Sequence, residues 1–415
     1  MDRVPPLVLA ALIFLSVPAM ALPVGAPAAT SSAFETSTPV YEFGSDYRSV
    51  DPIPTADLAL PERLEFANGD STASGFHRSS VEIGATVTVD KDRIDGRFAD
   101  LRLETRLESA ESEQERRTIL RSAISDLETG LEELKAYEAE IHREFRDGDR
   151  SERSLLVELA RIDAKAETIE GSAEHIGSLA NDVSGISLAG DVRAITGETA
   201  VLRGPVRAHV NEVLAGERDP VRVSVTSSQN GVVLALIENG EYVREAYRND
   251  NRNRSATGSY SSISEAADRA TEAYPWTFEQ SSSSGISGVG DGIFRITATH
   301  PQGSLVAYMD EGTDAVFRDH QTLGLSSIPV AQTANTTDDG LQLTVDRTYR
   351  SGPLLVTVVD SGTGEAVEGT VTIDDSVVGS TGADGTLWTV APREDYSVTV
   401  ERGNESVETT IDWAD

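Results

Sequence analysis

The sequence predicts a multidomain α+β protein that combines a long antiparallel helical hairpin, a duplicated β-meander α+β domain and a C-terminal β-sandwich. Three patterns predict this organisation. Apolar residues recur with three-four spacing through residues 91–182, two similar strand-rich segments lie about 72 residues apart within residues 185–350, and alternating runs separated by turns fill residues 353–415. A chain of 415 residues is long enough for each region to have its own core.

The charge composition is strongly acidic. The chain has 69 acidic and 35 basic residues, a net charge of -34, and its Lys residues are Lys91, Lys135 and Lys165. An acidic surface repels phosphate backbones, which excludes nucleic acid as a partner. A surface rich in acid and poor in Lys resembles those of haloarchaeal proteins, where molar salt screens the repulsion between like charges. An acidic mesophilic protein is the alternative.

The N-terminus predicts export. Arg3, an apolar run from residue 7 to residue 17 and the small residues that follow predict a signal peptide over residues 1–21. An uncleaved N-terminal anchor is the alternative, and we expect membrane attachment only through this segment, because no later stretch is apolar enough to cross a bilayer. The expected location is extracellular or in the cell envelope. The lack of Cys excludes disulfides and thiolate chemistry.

Residues 22–90 predict a flexible mature N-terminus with short strands. Its first part, residues 25–40, is rich in Ala, Ser, Thr and Pro. The alternating run from Val81 to Val89 predicts a strand.

Residues 91–182 predict a coiled-coil-like helical hairpin. Glu138 interrupts the apolar stripe of the first arm, Ser151 provides an N-cap for the second, and the piece around Phe98 either lengthens the first arm or forms a third helix. At about 1.5 Å per residue the second arm is roughly 45 Å long, so we expect part of it to extend beyond a compact domain. Such an arm would dock a partner or form a homo-oligomer; packing on its neighbours alone is the alternative.

Residues 185–350 predict an α+β domain with an internal repeat. The segment that begins at Val221 aligns with the one that begins at Phe294, and the pair Asn239–Gly240 predicts a tight hairpin turn. Apolar runs in both segments predict a sheet covered on both faces. Three aromatic residues mark a candidate ligand cleft in this sheet, with a place in the core as the alternative for each: Tyr242, Trp276 and Tyr308.

Residues 353–415 have the turns and alternation of a small sandwich. The pattern is carried by Asp360, Thr363, Gly364, Glu365, Val367, Gly369, Gly379, Thr381, Asp384, Gly385, Pro392 and Tyr396. It resembles the carboxypeptidase regulatory-like, transthyretin-like β-sandwich, although Ala366 stands where that pattern usually has Pro. The resemblance implies a stable appendage or contact module and no particular activity.

The search for chemical motifs predicts no catalytic residue, no metal and no cofactor. The six His residues lack metalloprotease spacing, and no nucleophile elbow, phosphate loop or dinucleotide fingerprint occurs. Three sequons are candidate N-glycosylation sites of an exported chain, at Asn253, Asn335 and Asn404.

These observations lead us to expect a non-enzymatic exported envelope or extracellular protein that acts through protein-protein contacts. Its expected partners are other envelope or extracellular proteins. An extracellular solute- or glycan-binding protein is one alternative, and a hydrolase with a dispersed active site, which no local motif would reveal, is another.

Overall fold

The structure is a computed structural model that describes residues 60–66, 71–253, 258, 260, 262–290 and 292–413, without the side chains of residues 71–74. The signal peptide predicted at residues 1–21 and residues 22–59 of the predicted N-terminal segment lie outside the described residues. In the part of the chain that the structure describes, every helix falls short of the length and apolarity that a membrane crossing needs.

The described residues form seven α-helices and sixteen β-strands. The helices are α1 (Ile83–Glu108), α2 (Glu113–Arg146), α3 (Glu152–Asn181), α4 (Ala189–Ala200), α5 (Pro205–Ala215), α6 (Ile263–Ala273) and α7 (Pro275–Glu279). The strands are β1 (Ser71–Ser79), β2 (Val221–Ser228), β3 (Gly231–Glu238), β4 (Glu241–Arg248), β5 (Ser283–Gly290), β6 (Ile293–His300), β7 (Gly303–Asp310), β8 (Ala315–Gly324), β9 (Gln332–Asp338), β10 (Leu341–Arg347), β11 (Pro353–Asp360), β12 (Thr370–Ile373), β13 (Ser376–Ser380), β14 (Thr386–Val390), β15 (Tyr396–Arg402) and β16 (Glu405–Ile411).

The largest sheet has eight antiparallel strands in the order β1-β2-β3-β4-β8-β7-β6-β5. Its two halves meet where β4 pairs with β8. The two segments that align in sequence form the meanders β2–β4 and β6–β8, on either side of this pair. Asn239 and Gly240 have φ values of 51° and 78° and form the tight turn between β3 and β4.

Helices α1 to α5 cover one face of this sheet and share an apolar core with β2 to β4. The predicted hairpin consists of α2 and α3, and the Ser151 hydroxyl caps α3 by accepting a hydrogen bond from the Ser154 N–H at 3.3 Å. Buried side chains follow α3 from Leu155 to Ala180. The second arm therefore does not extend beyond a compact domain, because α1, α2, α4 and α5 pack along it. The boundary predicted between residues 182 and 185 falls inside the shared core.

The strand predicted from Val81 to Val89 is wrong, because this segment forms the start of α1. The Glu82 N–H donates to Leu214 O at 3.1 Å, and this bond anchors the start of α1 on α5.

The other face of the sheet is covered by α6, α7 and residues 60–66. A separate apolar cluster that includes Tyr242, Tyr349 and Val390 joins this face to the C-terminal sandwich. The predicted coverage of both faces thus comes from helices on one side and from mixed elements on the other.

The C-terminal sandwich has one sheet in the order β14-β11-β10-β9 and a second in the order β13-β12-β15-β16. It begins at Gln332 rather than at residue 353, because β9 and β10 pair with each other and with β11. Residues 332–347, which were expected in the α+β domain, therefore belong to the sandwich. The multidomain α+β class and the terminal sandwich are confirmed.

Candidate functional site

Four charged side chains form a buried network between α2, α5 and the middle of the eight-stranded sheet. Arg207 donates from Nε to Glu245 Oε1 at 2.8 Å and from Nη1 to Glu138 Oε1 at 2.5 Å. Arg318 Nη2 donates to the same Glu138 oxygen at 3.2 Å. Each of the four residues is at most 5% exposed. Two positive and two negative groups balance each other, which is the condition for keeping charges away from water.

The network fixes the protonation states of its neighbours. Burial alone would raise the pKa of Glu138, but Arg207 and Arg318 hold that pKa well below its ordinary value. Burial lowers the pKa of His142 and His320, and Arg318 adds to the lowering at His320. Both imidazoles are therefore neutral near pH 7.

Asp163 on α3 lies next to this network. Its Oδ1 accepts a hydrogen bond at 2.9 Å from the Gly204 N–H, at the residue that precedes α5. Burial raises the pKa of Asp163 to about 6. Asp163 therefore changes its charge in a pH range where an ordinary Asp is already fully ionised.

The opposite face of the same strands carries a second buried ion pair. Arg244 Nη1 donates to Asp319 Oδ1 at 2.9 Å, and the Leu64 N–H donates to Asp319 Oδ2 at 2.5 Å. The neighbouring Glu62 carboxylate accepts hydrogen bonds from the N–H groups of Trp276 and Thr277 at 2.7 and 3.1 Å, at the start of α7. These contacts hold residues 60–66 on the sheet and serve its structure.

A groove of about 440 Å³ opens beside the first network, between α2 and the turn that joins β2 to β3. His142 and Tyr247 stack in its lining, with ring centroids 6.0 Å apart and an interplanar angle of 26°. Gln229, Asn230 and Asn249 add amide groups to the lining. An aromatic ring combined with amide donors and acceptors is suited to bind a small polar solute or a sugar.

Helix α1 turns its polar face towards the rest of the protein. Val89 and Leu103 are its buried residues. Four polar pairs join α1 and its N-cap residue Glu82 to α3: Glu82 with Arg153 (2.6 Å), Asp92 with Arg161 (3.4 Å), Asp100 with Ser172 (3.2 Å) and Glu104 with His175 (2.9 Å). Residue numbers rise together in these pairs, so the two helices are parallel. A cavity of about 530 Å³ lies between α1, α2 and α3.

The outer face of α1 is apolar and exposed. Its large side chains are Ile83 (77% exposed), Val87 (61%), Ile94 (50%), Phe98 (55%) and Leu101 (56%). At about 100° per residue these five positions fall within an arc of about 60° and extend over about 27 Å of helix. We call this surface the α1 stripe. A surface helix of a globular protein normally buries its apolar face, so a continuous exposed stripe marks an interaction surface.

The three aromatic residues predicted to form a ligand cleft lie apart. Tyr242 is fully buried, and its hydroxyl donates to Ser351 O at 2.9 Å. Tyr308 is buried in a cluster with Phe317 on the face of the sheet that α1 to α5 cover. Trp276 packs edge-on against His300, with ring centroids 5.3 Å apart. They belong to different packing environments and line no common cleft.

The three sequon asparagines are exposed. Asn404 lies in the turn between β15 and β16, and Asn253 lies after the short 3-10 helix Asn249–Asn251. Asn335 lies within β9 rather than in a loop, and its Oδ1 accepts a hydrogen bond from Thr344 Oγ1 at 2.7 Å. Asn253 and Asn404 have the setting that a glycan acceptor needs.

The buried network and the α1 stripe were not predicted from the sequence. Glu138 is the one signal for the network in the sequence, because it is the acidic residue in an otherwise apolar stripe. For the α1 stripe, the spacing of apolar residues does not indicate that the stripe is exposed. The same three-four pattern fits a buried face and an exposed one, and only the position of α3 decides between them.

Family models match three consecutive regions of the chain. Residues 1–219 match "Domain of unknown function (DUF7096)", residues 223–329 match "Family of unknown function (DUF7094)", and residues 332–409 match "Archaeal fibronectin-III type-like domain". No curated protein matches the chain. The third match agrees with a sandwich that begins at Gln332, and it gives no support to the carboxypeptidase regulatory-like resemblance over residues 353–415.

These matches identify an archaeal protein with a C-terminal sandwich. The first of them covers 219 of the 415 residues, which is more than half of the chain. The protein therefore belongs to the family described as "Domain of unknown function (DUF7096)".

Proposed function

We propose that this protein is an exported, non-enzymatic component of the archaeal envelope or extracellular space that acts through protein contacts made by the α1 stripe. The observation that carries the proposal is the orientation of α1. Its acidic face pairs with α3 through Arg153, Arg161 and His175, while its large apolar side chains face outwards. A partner that covered the stripe would remove this apolar surface from water.

A protein partner fits the stripe better than a lipid surface does. Interfacial membrane helices have Lys and Arg on their polar face, which attract anionic lipids. Helix α1 carries six acidic and five basic residues, so it lacks an excess of positive charge, and the whole chain has a net charge of -34. Such a charge opposes approach to an anionic membrane or to nucleic acid.

Export and a saline habitat are supported by composition. The apolar N-terminal run followed by small residues has the layout of a secretory signal. The scarcity of Lys together with 69 acidic residues is the composition of a protein that stays soluble in concentrated salt. In this proposal the sandwich is a second contact or spacer module.

Expression of the full chain in a halophilic archaeal host tests the proposal. Mass spectrometry of medium, envelope and cytosol would read the N-terminal peptide, and chemical cross-linking would identify contacts. We expect either a chain that begins at Leu22 in the medium or an intact chain in the envelope, with cross-linked proteins in both cases. The double variant Ile94→Glu and Phe98→Glu should lose those cross-links, because two carboxylates would enter the apolar contact.

Val330 and Val377 provide a matched control, because both are exposed valines outside α1 (39% and 61%). The double variant Val330→Glu and Val377→Glu should keep every cross-link of the wild type. An unprocessed chain that stays in the cytosol would overturn the export proposal. Cross-links that survive in the α1 variant would overturn the contact role of the stripe.

A second candidate function is binding of a polar solute or glycan in the groove beside Tyr247. It is favoured by one observation, the combination of the His142–Tyr247 stack with the amides of Gln229, Asn230 and Asn249. Melting curves of the full chain against a panel of envelope glycans and peptides would test it. A ligand that raises the melting temperature should do so less in the exposed-site variant Gln229→Ala, whereas a flat panel would count against the groove.

A further inference from the structure

We propose that the α1 stripe is the interface of a homodimer in which α1 of one copy packs antiparallel against α1 of a second copy. This inference rests on the proposed function, because it names the partner that the stripe contacts. Three features of the stripe support it: the order of its side chains, the charges at its edge and its area.

The apolar side chains are arranged almost palindromically. In an antiparallel pair of identical helices, two residues face each other when their numbers add up to twice the residue number at the two-fold axis. A two-fold axis near residues 92–94 places Ile83 opposite Leu101 of the second copy and Val87 opposite Phe98, and it brings the two copies of Ile94 together at the centre. A C2 interface requires a surface that is complementary to itself in this way.

The charges at the edge of the stripe select the antiparallel orientation. Asp90 and Arg97 are exposed and lie on the same edge, seven residues apart. The same two-fold axis places Asp90 opposite Arg97 of the second copy, twice in each dimer. A parallel pair would place this edge of the two copies on opposite sides of the interface, so Asp90 could not pair with Arg97 across it.

The apolar area of the stripe is close to that of a small specific interface. Five large side chains that are 50–77% exposed present roughly 500 Å² of apolar surface per copy. Two copies would bury about 1,000 Å² before the flanking polar side chains are counted, which approaches the ~1,200 Å² at the lower end of stable interfaces.

Single-cysteine cross-linking tests the orientation directly, since the chain has no Cys of its own. The full-length Ile94→Cys protein should form a disulfide-linked dimer under mild oxidation, because this position lies next to the two-fold axis. Ile83→Cys alone should stay monomeric on a denaturing gel. A mixture of Ile83→Cys with Leu101→Cys should give the mixed dimer. Cross-linking of Ile83→Cys with itself would indicate a parallel pair and overturn the inference.

A charge exchange tests the specificity. By light scattering and sedimentation of the full chain, Asp90→Arg and Arg97→Asp should each raise the dimer dissociation constant by at least about tenfold, because each creates two like-charge contacts. The double variant Asp90→Arg and Arg97→Asp should restore dimerisation. Val377→Glu, on the exposed surface of the sandwich, should leave it unchanged. Circular dichroism of each variant would verify that these exposed substitutions leave the chain folded.

The failure of this inference can be told apart from the failure of the proposed function. The wild-type chain could stay monomeric at about 100 μM while the α1 double variant loses the envelope cross-links. This result would overturn the homodimer, but it would leave the contact role of the stripe intact with a different protein as partner. A dimer that persists in every α1 variant would overturn the inference by placing the interface elsewhere.

Discussion

The eight-stranded sheet and the C-terminal sandwich fill their interiors in different ways. In the sheet, β4 and β8 carry charges on both faces: Glu245 and Arg318 belong to the buried network on the face covered by α1 to α5, and Arg244 pairs with Asp319 on the other face. In the sandwich, the buried polar side chains Arg347 and Thr381 bond to backbone oxygens of Asp412 and Val367 rather than to buried carboxylates. Its hydrophobic core consists of aliphatic side chains and one tyrosine: Leu341, Leu343, Val345, Leu354, Val356, Val358, Val367, Val371, Ile373, Val378, Ala391, Tyr396, Val398, Val400, Val407 and Ile411.

We infer that the difference reflects two ways of fixing strand register. The sheet joins two similar meanders, whose apolar runs would fit each other in more than one register. Buried charges on β4 and β8 satisfy each other in one register alone, and any slip would leave them unpaired. The sandwich fixes its register at turns instead. Asp360 Oδ1, for example, accepts hydrogen bonds from the N–H groups of Gly362 and Thr363 at 2.9 Å each.

The largest expected effect comes from removing one charge of the buried network. Arg207→Leu would leave Glu138 and Glu245 buried without their shared partner, and we expect a loss of about 3–5 kcal/mol in the free energy of unfolding. Chemical denaturation followed by circular dichroism measures this loss. A loss below about 1 kcal/mol would contradict the role that we assign to the network.

Arg218 gives the matched control for Arg207. Its side chain is 43% exposed and pairs with Glu212 and Glu238 at the surface. Arg218→Leu should change the free energy of unfolding by at most about 1 kcal/mol, since exposed ion pairs contribute little. The contrast separates the effect of burial from the effect of losing an arginine.

A smaller effect is expected at Asp163, and it depends on pH. The pKa of Asp163 is raised from 3.8 to about 6 in the folded chain. The stability that it contributes is complete below pH 3.8 and is lost as the pH rises through 6, because the unfolded chain releases this proton more readily. An asparagine at this position would not titrate and could still accept the hydrogen bond from the Gly204 N–H. Asp163→Asn should therefore gain about 2 kcal/mol over the wild type between pH 4 and pH 7.

The control for Asp163 lies in the sandwich. Hydrogen bonds from the backbone N–H groups of Thr363 and Gly362 lower the pKa of Asp360 below its ordinary value of 3.8. Its contribution is therefore present above pH 3.8 and is lost as the pH falls through the lowered pKa. Asp360→Asn should differ from the wild type by a nearly constant amount between pH 4 and pH 7. Urea titrations at several pH values measure the free energy of unfolding of each variant relative to the wild type. If this difference changed equally with pH for both variants, burial would not be the cause of the pH dependence.

The elements that were predicted correctly have strong signals in their local sequence. The apolar stripes of α2 and α3, the Ser151 cap, the Asn239–Gly240 turn and the alternation of the sandwich strands each depend on neighbours in sequence. The shared core of helices and sheet could not be predicted, because an apolar stripe does not show which element packs against it. The same limit applies to Val81–Val89: alternation fits a strand, whereas the contact that anchors the start of α1, from the Glu82 N–H to Leu214 O, is distant in sequence.

The candidate site was less predictable than the fold. Glu138, Glu245 and Arg318 come from α2, β4 and β8, so their meeting depends on tertiary structure alone. Tyr242 and Tyr308 were proposed for a cleft because aromatic residues serve both cores and ligand sites, and burial decided for the core. The α1 stripe could not be predicted, because its residues Ile83 and Val87 lie in the segment predicted as a strand and sequence spacing does not distinguish the inner face of a helix from its outer face.

The smallest expected effect concerns the turns of the sandwich. Gly364 and Gly385 both have positive φ, 74° and 71°. A Cβ at Gly364 would meet no atom within 4 Å, whereas a Cβ at Gly385 would lie 2.5 Å from Val358 O. Gly364→Ala should therefore lose only the conformational cost of about 1 kcal/mol, and Gly385→Ala should lose more because β11 would have to shift. Equal losses in calorimetry would show that turn conformation, and not contact with β11, makes these glycines necessary.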